Sequence, residues 1–376
     1  MANVRLKVMP IFVFCLFVGA ALLECRNAAA RSVNVFRDIV LRGVVDVNYN
    51  PASQPNRAVI ARELNELNPG IANRIGFQFG GETKAFLDNV RKLAHSIHEL
   101  NPKMILGGAF NEALYPNYNQ ILPCGGSLGE LQFEAKAMIS DRNLSKAYLI
   151  DLSRDVSQVY YICLGQILID SGIALLHFEA PSSVVAASSS SEAAIAGYKR
   201  VREALIKFAQ ARGTEIYFSG DVFLSNKISL ESVYIASRFY HNIKIFDKYR
   251  NKIKRDGVGV GYSYVLSLSI VRDIVGRVPN NTIVMFYVDN WDKSQDDLRR
   301  MMELDSENRR FLLKQSAVAA VKYKAYFIPP IYHCWGCISA DAVGDTCEVS
   351  TAGVSVYNAS DCGDMQTVRS VLQLQK

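Results

Sequence analysis

The feature that most constrains this chain is an alternation. Eight short apolar runs, many ending in polar residues, are separated by longer segments whose apolar side chains recur every three or four positions. The runs are Val44 to Val47, Arg74 to Phe79, Met104 to Phe110, Ile173 to Phe178, Glu215 to Phe218, Val258 to Tyr262, Ile283 to Val288 and Ala325 to Ile328. A strand that is apolar throughout must be covered on both faces, and a helix with one apolar stripe covers it from one side. The alternation therefore predicts a parallel sheet wrapped in helices. Eight such units predict an α/β fold closed into a single-domain (β/α)8 barrel of the TIM type.

The segments between the runs follow the helical period. Phe86, Val90, Leu93, Ile97 and Leu100 make one stripe. Val156, Val159, Tyr160, Cys163 and Ile167 make a second, with Ser153 as its N-cap and Gly172 as its stop. Ile195, Tyr198, Val201, Leu205 and Phe208 make a third, entered through Ser188 to Ser191, and Asp364 to Leu374 is the last helix. The sixth run is the poorest strand, because Gly257, Gly259 and Gly261 disfavour strand interiors. The same glycines invite a phosphate-loop reading, but no helix opening with Lys-Ser/Thr follows them. The densest basic stretch, Lys244 to Arg255, is broken by Phe246, Asp247 and Tyr249 and reads as a solvated helix face, so nucleic acid is not an expected partner.

At the N-terminus, Arg5 and Lys7 precede an apolar run from Val8 to Leu23, followed by four polar or cysteine residues and then Ala28, Ala29 and Ala30. This order predicts a signal peptide over residues 1–30 and a secreted or periplasmic mature chain. The apolar run is shorter than the roughly 20 residues that span a bilayer, so no stable membrane span is expected after cleavage. Cleavage lowers the formal charge from +6 to +4 and leaves 346 residues, 31–376, for one domain. Six cysteines remain. Cys334, Cys337, Cys347 and Cys362 crowd into the loop 333–362 before the last helix, which in an exported chain suggests disulfide staples. The Cys334-Trp335-Gly336-Cys337 spacing also admits a structural zinc site or a redox dithiol. Cys163, on an apolar helix face, reads as a buried free thiol, and Cys124 lies in a loop with no assignable partner. Asn143, Asn280 and Asn358 each open an N-x-S/T sequon.

In a parallel barrel the reactive groups collect at the C-terminal ends of the strands. Those ends are polar here: Asp46, Gln78, Asn111 and Glu112, His177 and Glu179, Asp221, Tyr262, Asp289 and Trp291, and Tyr332. Hydrolysis of a glycosidic bond needs two carboxyl groups facing across it, one protonated to assist the leaving oxygen and one ionised to attack or to activate water. Glu179 and Asp289, on the fourth and seventh strand ends, are the leading pair. Asp46, Gln78, Asn111, Glu112, His177, Asp221, Tyr262, Trp291 and Tyr332 are candidate substrate contacts, with the aromatic members, and Tyr264, supplying flat faces for sugar rings. Each carboxylate has a competing reading as a helix cap or a loop ion pair, and Glu112 and Asp221 stand as substitutes for the second role. Phe178 and Pro181 flank Glu179, apolar surroundings that raise a carboxyl pKa as an acid catalyst requires. His95 and His98 fall off their apolar stripe and read as solvated, and His241 follows a helix end. With no HxH, HExxH or G-x-S-x-G spacing, neither a metal, another cofactor nor a serine triad is called for, although His177 with Asp46 or Asp289 leaves a metal-assisted alternative open.

The stretch Ala147-Tyr-Leu-Ile-Asp-Leu-Ser153, the helix after it, and Ser171-Gly-Ile-Ala-Leu-Leu-His-Phe-Glu179 together resemble the centre of secreted (β/α)8 glycoside hydrolases. There a fourth strand of the G-I/F-D-G-I type ends in an acidic catalytic residue. The resemblance covers about a tenth of the chain and implies that Glu179 holds that position. It implies a secreted glycosidase of poly- or oligosaccharides, with Glu179 as general acid and Asp289 as nucleophile or base. Chitinase-like and polygalactosaminidase-like members place aspartates within the fourth strand, where this chain has Ala174, Leu175 and Leu176. That departure keeps a second expectation beside the first, a barrel that binds carbohydrate or serves structurally without catalysis.

Overall fold

Eight strands form one parallel sheet: β1 (Val44–Asp46), β2 (Ile71–Gly76), β3 (Ile105–Phe110), β4 (Leu175–Phe178), β5 (Tyr217–Asp221), β6 (Tyr240–Lys244), β7 (Ile283–Tyr287) and β8 (Tyr326–Ile328). They pair in chain order, every neighbour parallel. The first also meets the last: Asp46 bridges Pro330, its amide donates to Pro329 O at 3.0 Å, and its carbonyl accepts from Ile331 N at 2.8 Å. The sheet is thus closed into a barrel. The computed structural model describes residues 37–48, 57–78, 80–126, 128–144, 146–221, 240–244, 251–255, 258–263, 283–287, 301, 305–334 and 356–376, and the expected leader and Asn280 lie outside them.

Among the described residues the longer helices are α1 (Arg57–Leu67), α2 (Lys84–Leu100), α3 (Asp155–Asp170), α4 (Pro181–Ala187), α5 (Ser191–Ala211), α6 (Ser306–Lys322) and α7 (Met365–Leu374), with a single turn at Ala135–Met138. Alternate strand residues, among them Val44, Ile71, Leu175, Tyr217, Ile283, Met285 and Tyr287, pack together inside the barrel. The opposite parity packs under the helices with Phe86, Val90, Leu93 and Ile97 of α2 and Tyr198, Val201 and Leu205 of α5. Each such buried side chain contributes about 1.5–3 kcal/mol. Leu100, assigned to the α2 stripe, is half exposed instead. Thr83 caps α2 by accepting from Phe86 N at 3.2 Å, and Ser190 caps α5 by accepting from Ala193 N at 3.2 Å.

Between β3 and β4 the chain makes a long excursion. Ala113–Leu114, Ile139–Leu144 and Ala147–Ile150 build a three-stranded antiparallel sheet, and Asn119–Pro123 pairs with Glu130–Glu134 in a hairpin. The hairpin packs on α3, so this helix is buried around most of its circumference rather than along one stripe. Cys124, at the hairpin, is joined to Cys163 of α3 by a disulfide with Cα atoms 4.7 Å apart. This corrects the reading of Cys163 as a free thiol and gives Cys124 its partner. Cys362 is also disulfide-bonded, whereas Cys337, Cys347 and the side chain of Cys334 lie outside the described residues. The N-cap residue of α3 is Arg154, not Ser153, whose hydroxyl is drawn away to Asp151 Oδ1 at 2.5 Å.

The sixth strand also differs from expectation. Val258–Ser263 pairs antiparallel with Asn251–Arg255 in a hairpin outside the barrel sheet, and the barrel position is taken by Tyr240–Lys244. Alternating glycines suit a hairpin better than a strand buried on both faces. Of the basic stretch Lys244 to Arg255, Lys244 ends β6 and 251–255 form a strand rather than a helix, the residues between lying outside those described, and His241 lies within β6. His98 is half-buried with Nε2 3.2 Å from Met104 O, while His95 is exposed beside Glu99. Asn143 is exposed, but Asn358 is buried, donating to Asp361 and accepting from Ser360 N. Among the described residues no helix is long and apolar enough to cross a membrane.

Candidate active site

The period-two pattern of β2 places Ile71 and Asn73 inward and would turn Arg74 toward the helices. Arg74 instead has a left-handed φ of +55°, and the β2–β3 register shifts between Ala72 and Gly76. Its guanidinium enters the barrel. There Nε donates to Asp46 Oδ1 at 2.8 Å and Nη2 to Asp46 Oδ2 at 2.5 Å, a two-pronged pair between β1 and β2. Nη1 lies 3.7 Å from Glu179 Oε1, and the guanidinium carbon sits 4.5 Å from the centre of the Tyr287 ring on β7. One buried cation therefore touches groups from β1, β4 and β7.

Glu179 follows β4 directly and is only 2% exposed. Its amide donates to Phe110 O at 3.3 Å, and His177 Nε2 lies 3.5 Å from its Oε1. The opposite ring nitrogen, Nδ1, is 2.8 Å from Ser219 Oγ on β5. Phe178, pointing the other way, stacks on Phe110 and Phe218 and fixes the strand beneath. The chain then turns sharply through Ala180 at φ +41° into Pro181, the first residue of α4. Asn48, Arg74 and Ala180 are three of the five left-handed non-glycine residues among those described. Each costs on the order of 1 kcal/mol, and such strain collects where side-chain placement matters.

A second acidic cluster lies beside the first. Glu82, in the loop between β2 and α2, is 1% exposed and accepts from Tyr160 Oη of α3 at 2.7 Å. Burial pushes its carboxyl up to about 7, against the opposing effect of the Tyr160 hydrogen bond. Glu112, which follows β3, is buried nearby and adds to that rise. Burial also raises the Tyr160, Tyr161 and Tyr198 hydroxyls well above their ordinary value.

The structure brings Asp46, His177 and Glu179 together and adds Arg74 and Tyr287, which sequence reasoning missed, and Ser219, a polar residue at the fifth strand end to which it gave no role. Asp46, an expected substrate contact, accepts both hydrogen bonds of the Arg74 guanidinium. Asn111 is fully buried and serves the backbone, donating to Gln78 O and accepting from Ala113 N, while Gln78 Oε1 faces Thr83 N at 3.4 Å. Tyr332 is fully buried, and Tyr262 belongs to the hairpin outside the barrel sheet. Asp221 ends β5, with its side chain outside the described residues. Asp289, Trp291 and Tyr264 lie outside them as well. Among the described residues no three His, Cys, Asp or Glu side chains are grouped to hold a metal ion. Glu82 carried a sequence signal that went unread: an acid just after the Gly80-Gly81 turn, at a strand end.

No protein-family model and no curated protein matches the chain. Solved structures resemble it at the level of backbone arrangement. A β-L-arabinopyranosidase from Geobacillus stearothermophilus in complex with arabinose is 11% identical over 73% of this chain and 66% of that one, with a TM-score of 0.42, so the chain spans about two thirds of its length. Amy13B of Eubacterium rectale is 8% identical, covering 89% and 77%, with a TM-score of 0.48. The glycoside hydrolase domain of PelA from Pseudomonas aeruginosa is 9% identical, covering 81% and 97%, with a TM-score of 0.36.

Proposed function

We propose that the protein is a secreted glycoside hydrolase acting on a poly- or oligosaccharide, with Glu179 as one of its two carboxyl groups. The observation that carries this reading is the placement of Glu179: a buried carboxylate at the C-terminal end of a barrel strand, 3.7 Å from a buried arginine and 3.5 Å from a buried histidine. A helix cap or a surface ion pair would need neither partner.

The apolar flanks in the sequence suggested the acid's part for Glu179. Its actual neighbours are a guanidinium 3.7 Å and an imidazole 3.5 Å from Oε1, groups that can hold a carboxylate oxygen in place for attack. The proposal accordingly gives Glu179 the part of nucleophile or base. Asp289, two residues beyond β7 in the sequence, then protonates the leaving oxygen. In this mechanism Asp46 holds Arg74 in place, and Arg74 holds Glu179 against the sugar's anomeric carbon. Ser219 sets the orientation of His177, which in turn faces Glu179.

The test is turnover of a panel of plant, fungal and bacterial polysaccharides by the purified protein and its Glu179→Gln variant. Turnover by the parent and loss of about 10³-fold or more in the variant is expected. Binding without turnover by either protein would sink the hydrolase and favour a carbohydrate-binding barrel.

A further inference from the structure

β1 and β8 stand at the two ends of the sheet order, and the closure between them is short: it consists of the bridge from Asp46 to Pro330. Below it, Val44 and Val45 pair with Ile71 and Ala72 of β2, and among the described residues neither pairs with β8. A buried strand edge left this way would hold polar backbone groups without partners, at considerable cost. Phe327, in the middle of β8, is spared that cost. Its N–H donates to Gln375 Oε1 at 2.5 Å, and its carbonyl accepts from Gln375 Nε2 at 2.8 Å. A primary amide carries the donor and the acceptor of a peptide group, so this buried side chain, directly after α7, stands in for a neighbouring strand.

The helix that precedes Gln375 touches the other side of the seam as well. Gly43, directly before β1, has φ +103° and lies so close to α7 that a Cβ there would come within 2.7 Å of Leu372. At the site end of the seam, Ala359 N donates to Ile331 O at 2.9 Å, while Ile331 N donates to Asp46 O at 2.8 Å. The row of hydrogen bonds leaving β1 therefore continues into the segment that leads to α7. Beyond β8, Val356–Asn358 pairs antiparallel with Tyr332–Cys334. Between these points Asp364, fully buried, accepts from Arg309 and Arg310 of α6 and from Tyr357 Oη. Residues 356–376 are thus fastened at three levels, the first and last of them on the β1–β8 seam.

We propose that this segment is a strap that closes the barrel: the Gln375 amide takes the place of β1 along the edge of β8, and without it the two strands part as far as Asp46. Asp46 also holds Arg74, so the parting reaches the buried cation.

The experiment is amide exchange on the full chain and its Gln375→Met variant, which keeps the length of the side chain and removes both hydrogen-bonding groups. The informative amides are those of Asp46 and Ile331, which bond across the seam without touching Gln375. Together with that of Phe327 they should exchange about tenfold faster in the variant, while the amides joining β2 to β3 keep the parent's rates. Acceleration confined to Phe327 would overturn the strap, since Gln375 would then serve one residue alone. Equal acceleration throughout the barrel would also overturn it. Should Gln375→Met fail to fold, exchange of the parent in low denaturant decides. There the amides of Asp46, Phe327 and Ile331 should open in one step with those of α7, ahead of β2 and β3. Opening of α7 that leaves Asp46 and Ile331 protected would contradict the proposal.

Discussion

Two acidic clusters sit side by side at the ends of the first four strands, and they settle the cost of buried charge in opposite ways. Around Arg74, two carboxylates are matched by a guanidinium, with a histidine alongside. Around Glu82, a buried carboxyl accepts from the Tyr160 hydroxyl and is raised by burial. In the proposed mechanism the first cluster keeps charge in place for chemistry. At the second, burial pushes the Glu82 carboxyl up to about 7, which makes its charge depend on pH near neutrality.

The comparison breaks most readily at Arg74. Arg74→Met removes from Asp46 and Glu179 the guanidinium they share, and a loss of about 3–5 kcal/mol in denaturant unfolding is expected. A loss under about 1 kcal/mol would mean that the guanidinium is dispensable. Next comes the covalent tie between the excursion and α3. Cys124→Ser with Cys163→Ser opens a link spanning 39 residues and should cost about 2–4 kcal/mol, read as a lower unfolding midpoint.

Glu82 sharpens the comparison, because its effect has the opposite sign. Its folded carboxyl titrates at about 7 and its unfolded one near 4.5, so between these values the folded state binds more protons. Stability therefore falls as pH rises through that window, by about 3 kcal/mol in all, and levels off above it. Glu82→Gln should flatten this part of the profile and gain stability at pH 8. A parent profile flat from pH 4 to 8 would count against the buried acid. The smallest effect is expected of Tyr160→Phe, about 1 kcal/mol, with the falling limb displaced to higher pH because the hydrogen bond that restrains Glu82 is gone.

The barrel was legible because seven of its eight strands overlap short, mostly apolar runs that a doubly covered sheet buries, although β2 begins at Ile71 rather than Arg74 and β5 extends past Phe218 to Asp221. The sixth, Tyr240–Lys244, carries His241, Asn242 and Lys244 and looks like a surface segment, while the glycine-broken run that resembled a strand went to a hairpin. Glu179, His177 and Asp46 could be chosen from position alone, each standing at or just past a strand end. Arg74 could not. Its inward aim depends on one left-handed residue and one shift of register, which no periodicity encodes. The Cys124–Cys163 bond was equally hidden, since it depends on an excursion folding back onto a helix 39 residues later. The burial of Tyr332 was not legible either, because the strand–loop boundary after β8 leaves open which way that ring turns.

The most direct test of the central claim is a paired measurement on Glu179→Gln: turnover of a polysaccharide that the parent cleaves, and the denaturant midpoint of the same preparation. The account predicts a loss of about 10³-fold or more in turnover with the midpoint kept or raised, since the substitution removes one of two buried carboxylates sharing a single guanidinium. Full turnover in the variant, or a loss of turnover matched by unfolding, would contradict it.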